Sequence, residues 1–396
     1  MPSATLTSPA STASRKALKA AAVFWFAVMC LGQLLFAAAI ALTYGAPALR
    51  GDFSRWNKGT PHGYVAGEPF SNAVVGIHVF SAVLIILSGT LQLVPALRSR
   101  FPRFHRWNGR FYMVTAFAIS LAGIYMILGR GTVGTFAQHL GQLLDAALIL
   151  TFAVMAWRTA LARNFTAHRR WALRLYLVVS ASLFVRAITF LAIVLPGGPY
   201  INIATFDGAA LIIISYAQYL VPLALLELYL RAQTRGGTAL RFTTAGVLTL
   251  STLGLILGIG ATTLGSWTPK VRAALDPRIS IADTLSATIA TSGTDAALQQ
   301  YIHLKATAAT TYNFDERELN DLGYQLLRKN QFSDAIRILQ LNVDNFPSSA
   351  NVYDSLGEAY ADAGDKLHAI ASYTRSVQLN PRNQGAVAML KKLSER

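Results

Sequence analysis

Long apolar runs dominate the first two thirds of the chain, at about residues 20–44, 72–97, 111–129, 136–160, 171–195, 203–230 and 244–265. Each approaches or exceeds the roughly 20 residues an α-helix needs to cross a hydrocarbon core, so the pattern predicts seven membrane spans. Polar residues inside them recur at helical spacing. In the second run His78, Ser81, Ile85, Ser88 and Gln92 share one face, and in the fourth His139, Gln142 and Asp145 follow at intervals of three. Lipid offers such side chains no partner, so both stripes are expected to face the interior of a bundle. Pro222 should kink the sixth run, which packed neighbours tolerate. The first run follows Arg15, Lys16 and Lys19. It is longer than the apolar core of a cleaved signal peptide, about 7–15 residues, and reads as a retained anchor.

After residue 265 the apolar runs stop and acids appear. Leu322-Gly323 is matched by Leu356-Gly357, Ala335 by Ala369 and Pro347 by Pro381, always 34 residues on. Gly and Ala at matched positions let paired helices approach, and Pro ends the second helix of each pair. Over about residues 316–382 this resembles the tetratricopeptide repeat. Residues 266–311 read as a linker with a helix near 294–306, where Leu298, Tyr301, Ile302 and Lys305 share a face. Repeats at about 316–349 and 350–383 then form a module over 312–396, closed by a helix at 384–393 that carries Val387, Leu390 and Leu393. The resemblance implies a helical stack whose concave surface takes an unidentified protein or peptide. The alternative is a stabilising appendage without a partner. The expected fold class is all-α, a seven-span transmembrane bundle (20–265) followed by this helical-repeat module.

Composition agrees. The chain is 53% hydrophobic and 14% charged, against about 25% charged in soluble domains. The formal charge of +16 would by itself raise nucleic-acid binding, but its placement gives another account. One set of connections holds Arg98, Arg100, Arg103, Arg106, Arg110, Arg158, Arg163, Arg169, Arg170, Arg174, Arg231, Arg235 and Arg241, besides the three N-terminal cations. The opposite set holds only Arg50, Arg55, Lys58 and Arg130. Basic residues mark the cytoplasmic side. Residues 1–19 are therefore expected in the cytoplasm and, after seven crossings, the C-terminal module outside, in the periplasm of a host with two membranes. A nucleic-acid partner is rejected and the lipid bilayer is the expected one. The single cysteine, Cys30, allows no disulfide within one chain and says nothing about redox compartment.

Candidate chemistry centres on a repeated motif. "HRWNGRFY" (105–112) and "HRRWALRLY" (168–176) each open an apolar run at the expected cytoplasmic face. Their Trp and Arg residues fit interfacial anchoring, and the arginines could also hold lipid phosphate. The histidines go further. His105 and His168 lie at the inner face, and His78 and His139 answer them near the outer face. Two hairpins packed as four helices would bring two histidines together at each level, and a bundle core is where side chains build cofactor sites. Facing imidazoles are the ligand set of a b-type haem. Arg110, Arg174 and Arg186 are then candidate partners for a propionate or another anion. Asp145 and Arg186 fall at similar depth, roughly 13 Å in at 1.5 Å per residue, and are expected to pair, because an unpaired charge there is costly. The plainer alternative makes His78 and His139 hydrogen-bonded core residues. His62, His303 and His368 read as surface residues.

The histidine placement is similar to that of ascorbate-dependent two-haem b-type cytochromes, which also use four consecutive spans. Residues 72–195 resemble, through "HVFSAVLIILSGTLQLVPALR", "HRWNGRFY" and "HRRWALRLYLVVSASLFVR", a bacterial membrane family called domain of unknown function 2306. That likeness implies a bacterial inner-membrane location and no activity. No Gly-rich phosphate loop, Cys-x-x-Cys or His-Glu-x-x-His motif occurs. "GLILGIG" (254–260) reads as close helix packing. No catalytic or metal site is expected beyond haem iron, and any redox role would be electron relay. Three classes remain open: transmembrane electron relay through haem, a cofactor-free scaffold, and a solute or proton path along His78, His139, Asp145 and Arg186. The topology has its own test. A periplasmic reporter fused after Arg396 should be active, and activity of a cytoplasmic reporter alone would overturn the seven-span reading.

Overall fold

The computed structural model describes residues 9–60, 62–195, 201 and 208–394. The first residues of the expected sixth span, from Ile203, lie outside them, as do residues 1–8 of the N-terminal tail and the last two residues. The chain divides into two compact units, one running to Leu275 and one from Asp276.

The first unit is helical. α1 (Pro9–Ile40) continues through a π turn, Ala41–Gly45, into α2 (Ala46–Leu49), and a short α3 (Trp56–Gly59) follows. α4 (Pro69–Gln92), the short α5 (Pro95–Arg100) and α6 (Pro102–Tyr125) make a first hairpin. α7 (Phe136–Leu161) and α8 (Phe165–Val179) make a second. Then come α9 (Ala181–Val194), α10 (Ala209–Arg235), α11 (Thr238–Thr262) and α12 (Thr268–Leu275). Pro starts α4, α5 and α6, where its missing N–H leaves no bond unmade. Thr135 and Gln138 form a capping box on α7. Pro222 is buried within α10, which stays helical around it.

Among the described residues six helical stretches are long and apolar enough to cross a membrane. The expected fifth span is instead a broken pair, α8 and α9, bent by 49°. The break falls at Ser180, whose Oγ donates to the Tyr176 carbonyl at 2.7 Å. A serine bonded back one turn competes with the helix ladder and bends it. α8 packs on α7, while α9 packs on α10 and α11.

The exposed surface of these helices is apolar. On α4, Ile77, Phe80, Leu84, Leu87 and Leu91 are all exposed, at helical spacing and opposite the polar stripe. On α11 the same holds for Leu250, Leu253 and Leu257. The interior is assembled from α1, α4, α8, α9 and α11 around Met29, Phe36, Val75, Tyr176, Leu183 and Ile259. A second cluster joins α4, α6, α7, α8 and α10 through Ile85, Tyr112, Ala116, Ala153, Val178 and Tyr219.

Residues 266–275 are part of this unit rather than linker. Trp267 stacks on Phe36 at 5.4 Å. Lys270 Nζ donates to the Gly59 carbonyl at 2.9 Å, and Arg50 and Arg55 donate to the Ala274 and Ala273 carbonyls. The connection after α1 is thus tied down by polar bonds that the hydropathy pattern does not encode.

The second unit begins with β1 (Ile279–Ser280), paired in parallel with β2 (Tyr312–Asn313). Between them runs α13 (Ile281–Thr307), kinked at Gly293, where φ is 81°. Most of the expected linker is therefore structured, and the helix expected near 294–306 is the second half of α13. α14 (Glu316–Arg328) and α15 (Phe332–Asn345) form one hairpin, α16 (Ala350–Asp362) and α17 (Lys366–Leu379) another, and α18 (Gln384–Ser394) follows. The core runs through Ile281, Leu285, Tyr301, Leu322, Ile338, Val352 and Leu356. Glu318 is buried and accepts from Ser280 Oγ and the Ala282 amide, so a carboxylate closes the start of α13, where helix N–H groups lack partners.

α11 approaches α9 closely at Gly258, where an added Cβ would collide with the backbone carbonyl of Ala187. The close-packing reading of the glycine run holds at this position. Gly258→Val should destabilise the first unit by about 1–3 kcal/mol or more, the range for overpacking. Unfolding in mixed detergent micelles measures this, and Gly260→Val, where a Cβ meets nothing within 4 Å, is the control.

Candidate functional site

The polar stripe of α4 meets α6. His78 Nδ1 lies 3.1 Å from the Ile119 carbonyl, so Nδ1 carries the proton and Nε2 stays available. Ser88 Oγ donates to Asn108 Oδ1 at 3.0 Å, and Asn108 Nδ2 returns a bond to the Ser88 carbonyl at 2.9 Å. Gln92 Nε2 donates to the His105 carbonyl at 2.9 Å. The second hairpin uses the same device once, with His168 Nδ1 2.9 Å from the Ala156 carbonyl. Each bond joins two helices in a medium without water to compete.

The four histidines therefore have different settings. His139 holds its own loop: Nε2 lies 3.1 Å from Thr132 Oγ1 and 3.4 Å from the Val133 carbonyl. His78 and His139 belong to helices that both pack on α6, and His139 has the nitrogen opposite its backbone engaged. Each outer histidine thus has one ring nitrogen held within the protein, His78 by the Ile119 carbonyl and His139 by its own loop. The inner pair differs. His105 and His168 lie within electrostatic reach of each other. His168 Nδ1 donates to the Ala156 carbonyl, which fixes the ring's tautomer and orientation.

The arginines also separate. Arg110 lies over the Trp107 ring at 5.0 Å, and Arg174 over Trp171 at 4.7 Å, cation–π contacts that fit an interfacial belt. Arg174 further donates to Glu227 Oε1 through Nε at 2.9 Å and Nη2 at 2.6 Å. Sequence reasoning missed Glu227, although an acid in an apolar run was the signal. Its partner lies 53 positions away, on a helix that only the fold brings near.

Asp145 and Arg186 do not pair. Asp145 lies about two and a half turns after the start of α7 and Arg186 about two turns before the end of α9, but depth was the wrong criterion. α7 packs on α6, α8 and α10, and the bend at Ser180 carries α9 onto α10 and α11. Asp145 Oδ1 is buried with no hydrogen-bond partner. Arg186 instead donates through Nη1 to its own helix, at the Ser182 carbonyl (2.6 Å), and its guanidinium lies 4.6 Å over the Phe36 ring.

Arg186 has a further property. Protein surrounds it on all sides, yet its side chain is exposed. His78, within its electrostatic reach and equally deep, is also partly exposed. Tyr44 is the other titratable group acting on Arg186, with its hydroxyl 2.7 Å from Thr60 Oγ1. No carboxylate neutralises the guanidinium among the described residues. Phe36, Tyr44, His78 and Ser182 thus surround Arg186 from α1, its π turn, α4 and α9.

Residues 75–230 match a family model described as "Predicted membrane protein (DUF2306)". The match takes in α4 to α10 almost whole, with His78, His105, Asp145, His168 and Arg186, and over this region the chain is similar to that family. No curated protein and no solved structure matches the chain. With the apolar helices, the match makes this a multi-pass membrane protein in contact with the bilayer.

The Ser88–Asn108 exchange is testable as structure. Asn108→Ala removes two interhelical bonds of about 0.6 kcal/mol each. It should lower stability by about 1 kcal/mol in detergent-mediated unfolding without altering helix content.

Proposed function

We propose that the membrane unit binds a small organic carboxylate at Arg186, as the solute site of a transporter or receptor-like membrane protein. The carrying observation is an exposed guanidinium within a membrane-spanning helix, with no carboxylate partner among the described residues. An uncompensated charge inside a membrane protein is costly and marks function by default. The guanidinium fork matches the two oxygens of a carboxylate. Phe36 and Tyr44 supply apolar wall for a carbon-bearing ligand, and His78 Nε2 supplies one further polar contact.

The basic asymmetry of the connections supports a cytoplasmic N-terminus in a bacterial inner membrane. With α8 and α9 counted as one broken span, seven crossings leave the second unit outside. The hairpins beginning at Glu316 and Ala350, offset as the repeat spacing requires, support a tetratricopeptide module that binds a protein or peptide.

A panel of acetate, benzoate, succinate and inorganic phosphate, added to the purified protein, tests the reading. At a ligand concentration 100 times its Kd, binding stabilises by about 2.7 kcal/mol. A carboxylate should raise the melting temperature of the wild type and leave Arg186→Gln unchanged. No shift with any anion would sink the proposal, and a shift with phosphate alone would change the ligand class.

A second reading rests on the proximity of His105 and His168. These two would be the axial ligands of one b-type haem near the cytoplasmic face, and haem supplies one-electron transfer when bound. A reduced-minus-oxidised visible spectrum of protein from haem-replete cells should then show b-type bands that His168→Ala removes. Absence of the bands would end this reading.

A further inference from the structure

A second polar centre lies at the depth of Arg186 but on other helices. Asp145 stands on α7, and α10 packs against that helix. Asp145 is enclosed by protein, only partly exposed, and its Oδ1 has no hydrogen-bond partner. Tyr219 on α10 is fully buried, with a hydroxyl that also lacks a partner. It lies within electrostatic reach of Asp145 and of Tyr216. Ser120 on α6, a third buried hydroxyl without a partner, falls near the same level by helix register. Unsatisfied buried polar groups are rare in folded proteins and call for an explanation. Here α7 and two helices packed on it, α6 and α10, each carry one.

We propose that Asp145, with Tyr219 beside it, is a proton-binding site of the membrane unit. A carboxylate in hydrocarbon without a counter-charge is strongly disfavoured. No cation neutralises Asp145 among the described residues. α10 turns Tyr216 and Tyr219 toward this region, Arg174 of α8 and Glu227 of α10 are paired with each other, and the remaining charges, Arg158 of α7, Arg169 and Arg170 of α8 and Arg231 and Arg235 of α10, stand toward the other ends of α7 and α10 and the start of α8. α6 adds the neutral Ser120. The carboxyl therefore rests protonated. It exchanges its proton with water through its exposed part, and the unpartnered Tyr219 hydroxyl, within electrostatic reach, would turn to donate to the carboxylate when the proton leaves. A metal cation fits less well. Ca²⁺ and Mg²⁺ take six or more oxygen ligands, and no group of three metal-ligating acids, histidines or cysteines occurs among the described residues. The site stands independently of the carboxylate at Arg186. If both hold, the two centres make a pair in which uptake of an anion and of a proton share one bundle.

Dicyclohexylcarbodiimide reacts with protonated carboxyls in apolar surroundings and tests this on the full-length protein in detergent. Peptide mass mapping after treatment across a pH series should find Asp145 modified at neutral pH. Labelling should fall about tenfold per pH unit above its midpoint. Asp145→Asn should fold and lose the modification, and Tyr219→Phe should move the midpoint upward by removing the donor. Arg186→Gln should leave labelling intact, so failure of anion binding and failure of this site are separable. An unmodified Asp145 peptide at every pH would overturn the proposal. So would protection by Na⁺ at fixed pH, which would make this a cation site.

Discussion

Everything in the first unit follows from one constraint: inside hydrocarbon a polar group has no water to fall back on. The helices satisfy their own backbones, and the polar side chains must then find each other or a carbonyl of a neighbouring helix. On α4 they do so in sequence, His78 to Ile119, Ser88 to Asn108, Gln92 to His105. These bonds hold α4 against α6 in one register and leave the leucine face of α4 to lipid. His168 on the Ala156 carbonyl performs the same service for α7 and α8. Small residues complete the arrangement, since Gly258 and the fully buried Ala116, Ala153 and Ala156 let neighbouring backbones approach.

Against that background the exceptions carry the functional argument. Among the described residues Arg186 finds its own helix and an aromatic ring, and Asp145 leaves an oxygen without a partner. Had the two met, they would read as a structural ion pair. Kept apart, each lacks an ionic partner among the described residues. The bend at Ser180 is what separates them, because it turns one apolar run into two helices with different neighbours.

The second unit was legible for a different reason. The matched Leu-Gly, Ala and Pro positions mark helix contacts and helix ends at a fixed offset, and the hairpins start where those marks place them. The residues before them were harder to read. β1, β2 and α13 are joined by a two-residue pairing and by Glu318, a carboxylate reaching back across 36 positions to the Ala282 amide. Nothing periodic announces either. Residues 268–275 misled similarly, since their attachment to the first unit runs through carbonyls, which every sequence has and none distinguishes.

By itself the sequence determined the helical spans, the stripes that face inward, the repeated hairpins of the C-terminal unit and the list of ionisable groups inside the bundle. Those depend on the length, period and polarity of one segment at a time. Tertiary structure alone decided which polar group answers which. Glu227 took Arg174, His139 turned to its own loop, His105 and His168 converged, and Asp145 and Arg186 went to different neighbours. Depth in a membrane can be counted along a chain. Adjacency in a bundle depends on bends and close contacts between segments that the chain does not place side by side.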